Sequence, residues 1–213
     1  MTRDARVYVR RRGRLTSGQA RALAEHADRY RLTDPADCSP PVLLEVGFGM
    51  GQALAAFAEA HPDWTCVGVD VYQPGIGSLI LQCERAAIAN VRIVEDDVRR
   101  VLPDWPDASV RLVAVYFPDP WPKARHHKRR LVQPAFAAEV ARVLEPGGRA
   151  LLATDWAPYA ERMLEVMDAE PGLVNASGPG AFAPRPSERP VTRFESRGQA
   201  LGHAVWDLAY TKA

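Results

Sequence analysis

The sequence predicts a doubly wound, mostly parallel α/β sheet of seven strands, and three observations carry that expectation. Short apolar runs alternate with helical periodicity from residue 42 to residue 169, and a triple-glycine turn follows the first run. Acidic residues also stand at the ends of the first three runs, at Glu45, Asp70 and Asp97. In an open α/β sheet, ligands bind beyond the carboxyl ends of the strands, which is where these acids fall.

Taken in order, residues 42–46 form a short apolar strand and 52–60 an alanine-rich helix, with a second strand at 65–69 ending in Asp70. Helical spacing over 74–89 precedes a third strand at 91–94 and a fourth at 110–117, the last apolar enough for the sheet centre. An amphipathic helix at 134–144 is expected to stop at Glu145-Pro146-Gly147-Gly148, with left-handed glycines, before a strand at 150–154. A helix at 157–169, a Pro/Gly/Ser-rich loop over 171–190 and a final strand pair near 189–195 and 203–210 complete the reading.

The chain has 213 residues, 47% hydrophobic and 25% charged, which suits one globular domain and excludes disordered or collagen-like classes. The formal charge of +1 conceals segregation along the chain. Residues 1–31 carry +6, 121–130 carry +5 and 185–197 carry +2, leaving −12 on the other 159 residues. A phosphate-binding face on an acidic body would show this pattern. Three cysteines without a CxxC pair or a histidine at ligand spacing indicate neither a disulfide framework nor a metal site, but buried free thiols. The basic amino terminus lacks an apolar leader and no run approaches membrane-span length, so a cytoplasmic protein is expected.

Gly47, Gly49 and Gly51 let the backbone turn tightly and approach a ligand. Gln52 stands where a dinucleotide fingerprint needs its last glycine, and Glu45 would repel a pyrophosphate. That carboxylate suits a cationic ligand with an ammonium and a sulfonium. Asp70 is placed to accept from ribose hydroxyls and Asp97 from an adenine amino group, so that the three acids together point to S-adenosylmethionine. The competing reading of Asp70 and Asp97 is as helix N-caps. After the fourth strand, Pro118 and Pro120 fix the backbone around Asp119, which can accept from the N1 and N2 hydrogens of guanine while Phe117 or Trp121 offers a stacking face. Arg125, Lys128, Arg129 and Arg130 follow with His126 and His127, enough charge to track a nucleic-acid backbone; the adjacent histidines suit phosphate or structural contacts better than a metal.

These motifs, EVGFGMG, YFPDPWPKARHHKRR, ATDWAPYAE, RPVTRFESRG and LGHAVWDL, resemble the bacterial tRNA (guanine-N7-)-methyltransferases over nearly the whole chain, as does RRRGRLTSGQARAL near the start. The resemblance implies a Rossmann-like class I methyltransferase domain at 41–213 behind a basic amino-terminal extension at 1–40. It implies methyl transfer from S-adenosylmethionine to N7 of guanosine 46 in the tRNA variable loop. Glu45, Asp70, Asp97 and Asp119 match cofactor-binding acids, Asp119 being also the catalytic position. Lys123, Asp155, Thr192, Arg193, Phe194 and Glu195 match substrate-binding positions, and 125–130 the RNA-interacting segment. The partner implied is tRNA, with neither metal nor membrane, acting as a monomer or weak homodimer. The chain departs from the family in having Asp70 where Glu is common and Tyr72 where His is frequent. Three rival readings are an NAD-dependent oxidoreductase, a non-catalytic RNA-binding protein on this fold, and a methyltransferase with a protein or small-molecule acceptor.

Overall fold

Apolar, β-branched runs too short for helices build the centre of the molecule. In the computed structural model, which describes residues 13–190, 195 and 204–213, these are β1 (Val42–Val46), β2 (Thr65–Val69), β3 (Val91–Val94), β4 (Val110–Tyr116) and β5 (Leu144–Thr154). β6 (Leu173–Asn175) and β7 (Trp206–Lys212) complete one seven-stranded sheet in the order β3-β2-β1-β4-β5-β7-β6. The first five strands pair in parallel, and β7 is antiparallel to both β5 and β6. All five residues of β1 are buried, as are Leu112 to Val115 of β4, because helices cover both faces of a parallel sheet.

The helices are α1 (Ser17–Tyr30), α2 (Gln52–Ala60), α3 (Gln73–Ala86), the single turn α4 (Val98–Val101), α5 (Pro134–Val143) and α6 (Ala157–Asp168). One core cluster contains Phe48, Leu54, Leu79 and Ile80 beneath α2 and α3, and the other Phe136, Val140, Tyr159 and Met163 beneath α5 and α6. No helix among the described residues is long and apolar enough to cross a membrane.

Three local outcomes differ from the sequence expectation, and one helix falls where no element was assigned. Glu145-Pro146-Gly147-Gly148 does not cap α5; the helix ends at Val143 and these residues form an excursion inside β5, whose pairing with β4 shifts register between Val110 and Leu112. Gly147, at φ 74°, turns that excursion. The loop expected at 171–190 contains β6, recruited as an edge partner of β7. A strand at 189–195 is not found at either described end: Arg189 and Pro190 lie outside any strand and Glu195 is helical, while 191–194 fall outside the described residues. Finally, the basic extension holds α1, which is fixed by a capping box between Thr16 and Gln19 and by the Tyr30 hydroxyl donating to Glu84 of α3 at 2.6 Å. The chain leaves α1 through Leu32, whose N–H donates to the Ile93 carbonyl of β3.

Cys38, Cys66 and Cys83 are free thiols; the last two are buried and the first partly so. Burial pushes Cys66 and Cys83 up to about 12, which keeps them protonated and unreactive.

Candidate functional site

At the switch point of the sheet, where the order reverses between β1 and β4, Glu45 lies beside Ala114 in register and the glycine turn opens toward α2. Gly47, Gly49 and Gly51 all have left-handed φ, at 72°, 56° and 76°. A Cβ on Gly47 or Gly49 would meet nothing within 4 Å, so the space before them is open. At Gly51 the same atom would lie 2.7 Å from the Leu79 Cβ, which keeps α2 and α3 close.

Asp70 ties this turn to the end of β2. Its Oδ2 accepts from the Gly49 N–H at 2.8 Å, and its Oδ1 from the Val71 and Tyr72 N–H groups. It is not a helix cap, since Tyr72 holds that place for α3. Glu45 is 4% exposed and accepts no hydrogen bond from the described residues. Burial, reinforced by the charge of Asp70, pushes its carboxyl up to about 8. A buried acid without a donor among the described residues fits a cation placed beside it.

Asp97 follows the N-cap reading: it accepts from the Arg99 N–H at the start of α4. It also takes the Arg99 guanidinium through Nη2 at 2.8 Å and Nε at 3.2 Å. Burial raises its carboxyl, but the hydrogen bonds and charge of Arg99 outweigh this and hold it below the usual range.

Beyond β4 the backbone reverses sharply. Phe117 and Trp121 both have positive φ, at 52° and 43°, bracketing Pro118, Asp119 and Pro120. Such values in bulky residues cost free energy and persist only where the surroundings fix them. Here the Phe117 N–H donates to the Ala153 carbonyl, the Arg129 guanidinium lies 5.0 Å from the Trp121 ring centroid, and His126 packs edge-on to the same indole at 5.7 Å. Residues Ala124–Arg129 form a 3₁₀ segment in which Arg125, His127 and Lys128 are exposed, as is Lys123 before it. Burial, together with Arg129, Arg125 and Lys123, holds His126 below its ordinary value.

Arg130 departs from the expectation of a surface contact for every residue of 125–130. It is 3% exposed, donates to the Pro120 carbonyl at 2.9 Å and the Pro158 carbonyl at 3.4 Å, and stacks 4.8 Å from the Tyr159 ring centroid. It therefore fastens the Asp119 loop to α6. Asp155 is half-buried at the end of β5 and does not cap α6, whose N-cap is Trp156. Thr192, Arg193 and Phe194 lie outside the described residues.

Glu195 is buried and bound to a residue that sequence reasoning missed. Arg189, 1% exposed, donates through Nη1 and Nη2 to both Glu195 oxygens at 2.6 and 2.9 Å. Its Nε and Nη2 reach both Asp207 oxygens of β7 at 2.6 and 3.0 Å, while its carbon lies 5.6 Å from the Phe117 ring centroid. One guanidinium thus joins the segment after the loop, the sheet and the root of the Asp119 turn. In the sequence Arg189 stood only as the first residue of RPVTRFESRG, at the end of the Pro/Gly/Ser-rich stretch, with no role of its own.

Among the described residues no group of three or more His, Cys, Asp or Glu side chains could hold a metal. The same architecture occurs in solved RNA methyltransferases. The 16S rRNA methyltransferase KamB superposes with a TM-score of 0.57 at 17% identity, covering 98% of this chain and 99% of that one. The 16S rRNA (adenine(1408)-N(1))-methyltransferase from Catenulisporales acidiphilia gives 0.56 at 16%, covering 86% and 96%. At such identities the likeness is one of fold. Residues 39–208 match the model of a family described as "Putative methyltransferase", so fold and family together define a Rossmann-like methyltransferase. The tRNA (guanine-N(7)-)-methyltransferase of Acidithiobacillus ferrooxidans is 50% identical over 216 residues, covering 99% of this chain and 95% of that one. That of Alcanivorax borkumensis is 49% identical, covering 99% and 92%. The chain belongs to the bacterial tRNA (guanine-N7-)-methyltransferase family.

Proposed function

We propose that the protein methylates N7 of guanosine 46 in the variable loop of tRNA, with S-adenosylmethionine as donor. The observation that carries this reading is the donor set at the glycine turn: a buried Glu45 that accepts no hydrogen bond from the described residues, just before the open Gly47 and close to Asp70, in a chain of this family. Glu45 would hold the positive end of the cofactor, Asp70, fixed by backbone N–H groups of the turn and of its own loop, the ribose hydroxyls, and Asp97 the adenine edge. When bound, the cofactor supplies a methyl group made electrophilic by its sulfonium.

Guanine N7 has an in-plane lone pair and no proton, so the chain needs no general base. Its task is alignment, which contributes several kcal/mol, roughly what fixing two reactants at near-attack distance supplies. Asp119, held between two prolines, accepts from the N1–H and N2–H edge of the base and so stabilises the positive charge that grows on the purine. Lys123, the exposed members of 125–130, Asp155 and the 192–195 segment would bind the tRNA, with Glu195 acting from its Arg189 anchor. The basic extension 1–40 adds phosphate contacts to the 41–213 domain, and the enzyme works in the cytoplasm, where its substrate is, as a monomer or weak homodimer.

The test is incubation of unmodified tRNA with labelled cofactor, followed by aniline cleavage, which cuts at 7-methylguanosine. Cleavage at the variable loop is expected. Label without cleavage there would reassign the acceptor.

A further inference from the structure

Most arginines in the described structure sit against carboxylates: Arg99 on Asp97, Arg111 on Glu145, Arg142 on Asp107 and Glu139, Arg189 on Glu195 and Asp207. Arg130 does not. It is buried, yet its partners among the described residues are two carbonyls, one aromatic face and a histidine nitrogen, with no carboxylate within ion-pair distance. A guanidinium removed from water without a counter-ion is costly. Burial lowers its pKa, and the nearby charge of Arg162 acts in the same direction against the opposing effect of Tyr159.

Arg130 does not face that cost in a closed core. It lines a concavity of about 280 Å³ together with His127, Lys128, Gln133 and Arg162, which come from the 3₁₀ segment, the start of α5 and the middle of α6. The lining contains three fixed cations and no acid. A guanidinium has only donors, so the contact of Arg130 Nη2 with His127 Nε2 at 3.2 Å requires that nitrogen to accept, leaving the proton on Nδ1. The Gln133 amide donates to the His127 carbonyl, which fixes the wall opposite α6. Arg162 pairs with Glu165 one turn on at 2.8 Å, a half-exposed contact that a stronger anion can displace.

We propose that this concavity is a phosphodiester-binding site for the RNA backbone, with Arg162 and Lys128 as its direct contacts and Arg130 as the buried charge behind them. The proposal rests on the tRNA reading above and adds α6 to the RNA face. Because Arg130 also holds the Pro120 carbonyl, a phosphate seated here would be tied mechanically to the Asp119 loop.

The experiment compares wild type with Arg162→Ala, Arg162→Lys and Glu165→Gln. Binding of unmodified tRNA is measured over a series of salt concentrations, alongside S-adenosylmethionine binding and turnover at saturating tRNA. Arg162→Ala should weaken tRNA binding about 5- to 10-fold and reduce the magnitude of the log–log salt slope by about one. Arg162→Lys should keep the slope, and Glu165→Gln should bind tRNA at least as tightly as wild type. Cofactor affinity should stay unchanged in all three, as it would not if α6 were merely distorted, and saturated turnover should stay unchanged in Glu165→Gln. Wild-type affinity and slope in Arg162→Ala would overturn the site while leaving the methyltransferase reading intact. A wild-type protein that binds tRNA through this pocket but never methylates it would uphold the site and overturn the activity.

Discussion

At the residue scale, the site is built from charges whose environments oppose one another. Glu45 carries a carboxyl pushed from 4.5 to about 8 by burial. Its proton is held more tightly in the folded than in the unfolded chain, so the cofactor-free protein loses stability as pH rises from about 4.5 to about 8. Glu45→Gln should therefore match wild type near pH 5 and exceed it near pH 8.5, by on the order of 2–4 kcal/mol, in thermal melts across pH. The same variant should bind S-adenosylmethionine at least tenfold more weakly, since a neutral amide attracts no cation. Equal stability differences at both pH values would show that Glu45 is not the strained acid described. Asp119→Ala should abolish methylation of tRNA and leave cofactor binding measurable by calorimetry; near-normal turnover would remove its assigned role. Arg189→Ala would take the shared cation from two buried carboxylates, Glu195 and Asp207, and should cost about 3–5 kcal/mol in urea unfolding. Arg189→Lys should recover only part of it, because an ammonium cannot span both carboxylates with paired hydrogen bonds.

At the element scale, the glycine turn depends on α3 as much as on its own glycines. A Cβ added to Gly75, in the first turn of α3, would stand 1.8 Å from the Gly49 carbonyl oxygen, a backbone atom that can move only if the turn moves. Gly75→Ala should destabilise the fold by about 2–4 kcal/mol and weaken cofactor binding in parallel, read by chemical denaturation and equilibrium dialysis. A stable variant with normal affinity would mean that the turn is not held from this side. This contact was not visible in the sequence, where only the three alternating turn glycines stood out. What the sequence did disclose were elements whose limits are set locally: β1, α2, β2 and β3 end at glycines, acids or a proline, and their bounds coincide with the structure. Elements defined by distant partners were hidden. β6 exists because β7 offers an edge, and the Glu145–Gly148 excursion reads as a helix stop until β4 is placed beside it. The strand-end positions of Glu45 and Asp70 were legible because strand ends are, whereas Arg189 and Arg162 meet residues far away in sequence.

For the whole molecule, the formal charge of +1 is the sum of acidic and basic regions to which the proposed function gives opposite tasks. Acids stand at the strand ends, Glu45 just before the glycine turn, Asp70 hydrogen-bonded to it and Asp97 beyond β3, and each is buried or half-buried. The cations of 121–130 are carried just past β4 on a 3₁₀ segment with most of its side chains in solvent, and α6 extends that basic surface through Arg162. Salt should therefore separate the two ligands. Contacts with phosphates in water are lost as counter-ions return to the nucleic acid, and a face making about five of them should lose affinity with a log–log slope near −4, a fall of a few hundredfold between 50 and 200 mM salt. Under the proposed function the cofactor meets buried acids, where screening is weak, and its affinity should change less than about threefold over the same range. Filter binding of tRNA and calorimetry of S-adenosylmethionine in one salt series check both halves at once. A shallow tRNA slope would mean that the basic segments point away from the substrate, and a steep cofactor slope would mean that the strand-end acids are reached by solvent rather than enclosed with their ligand.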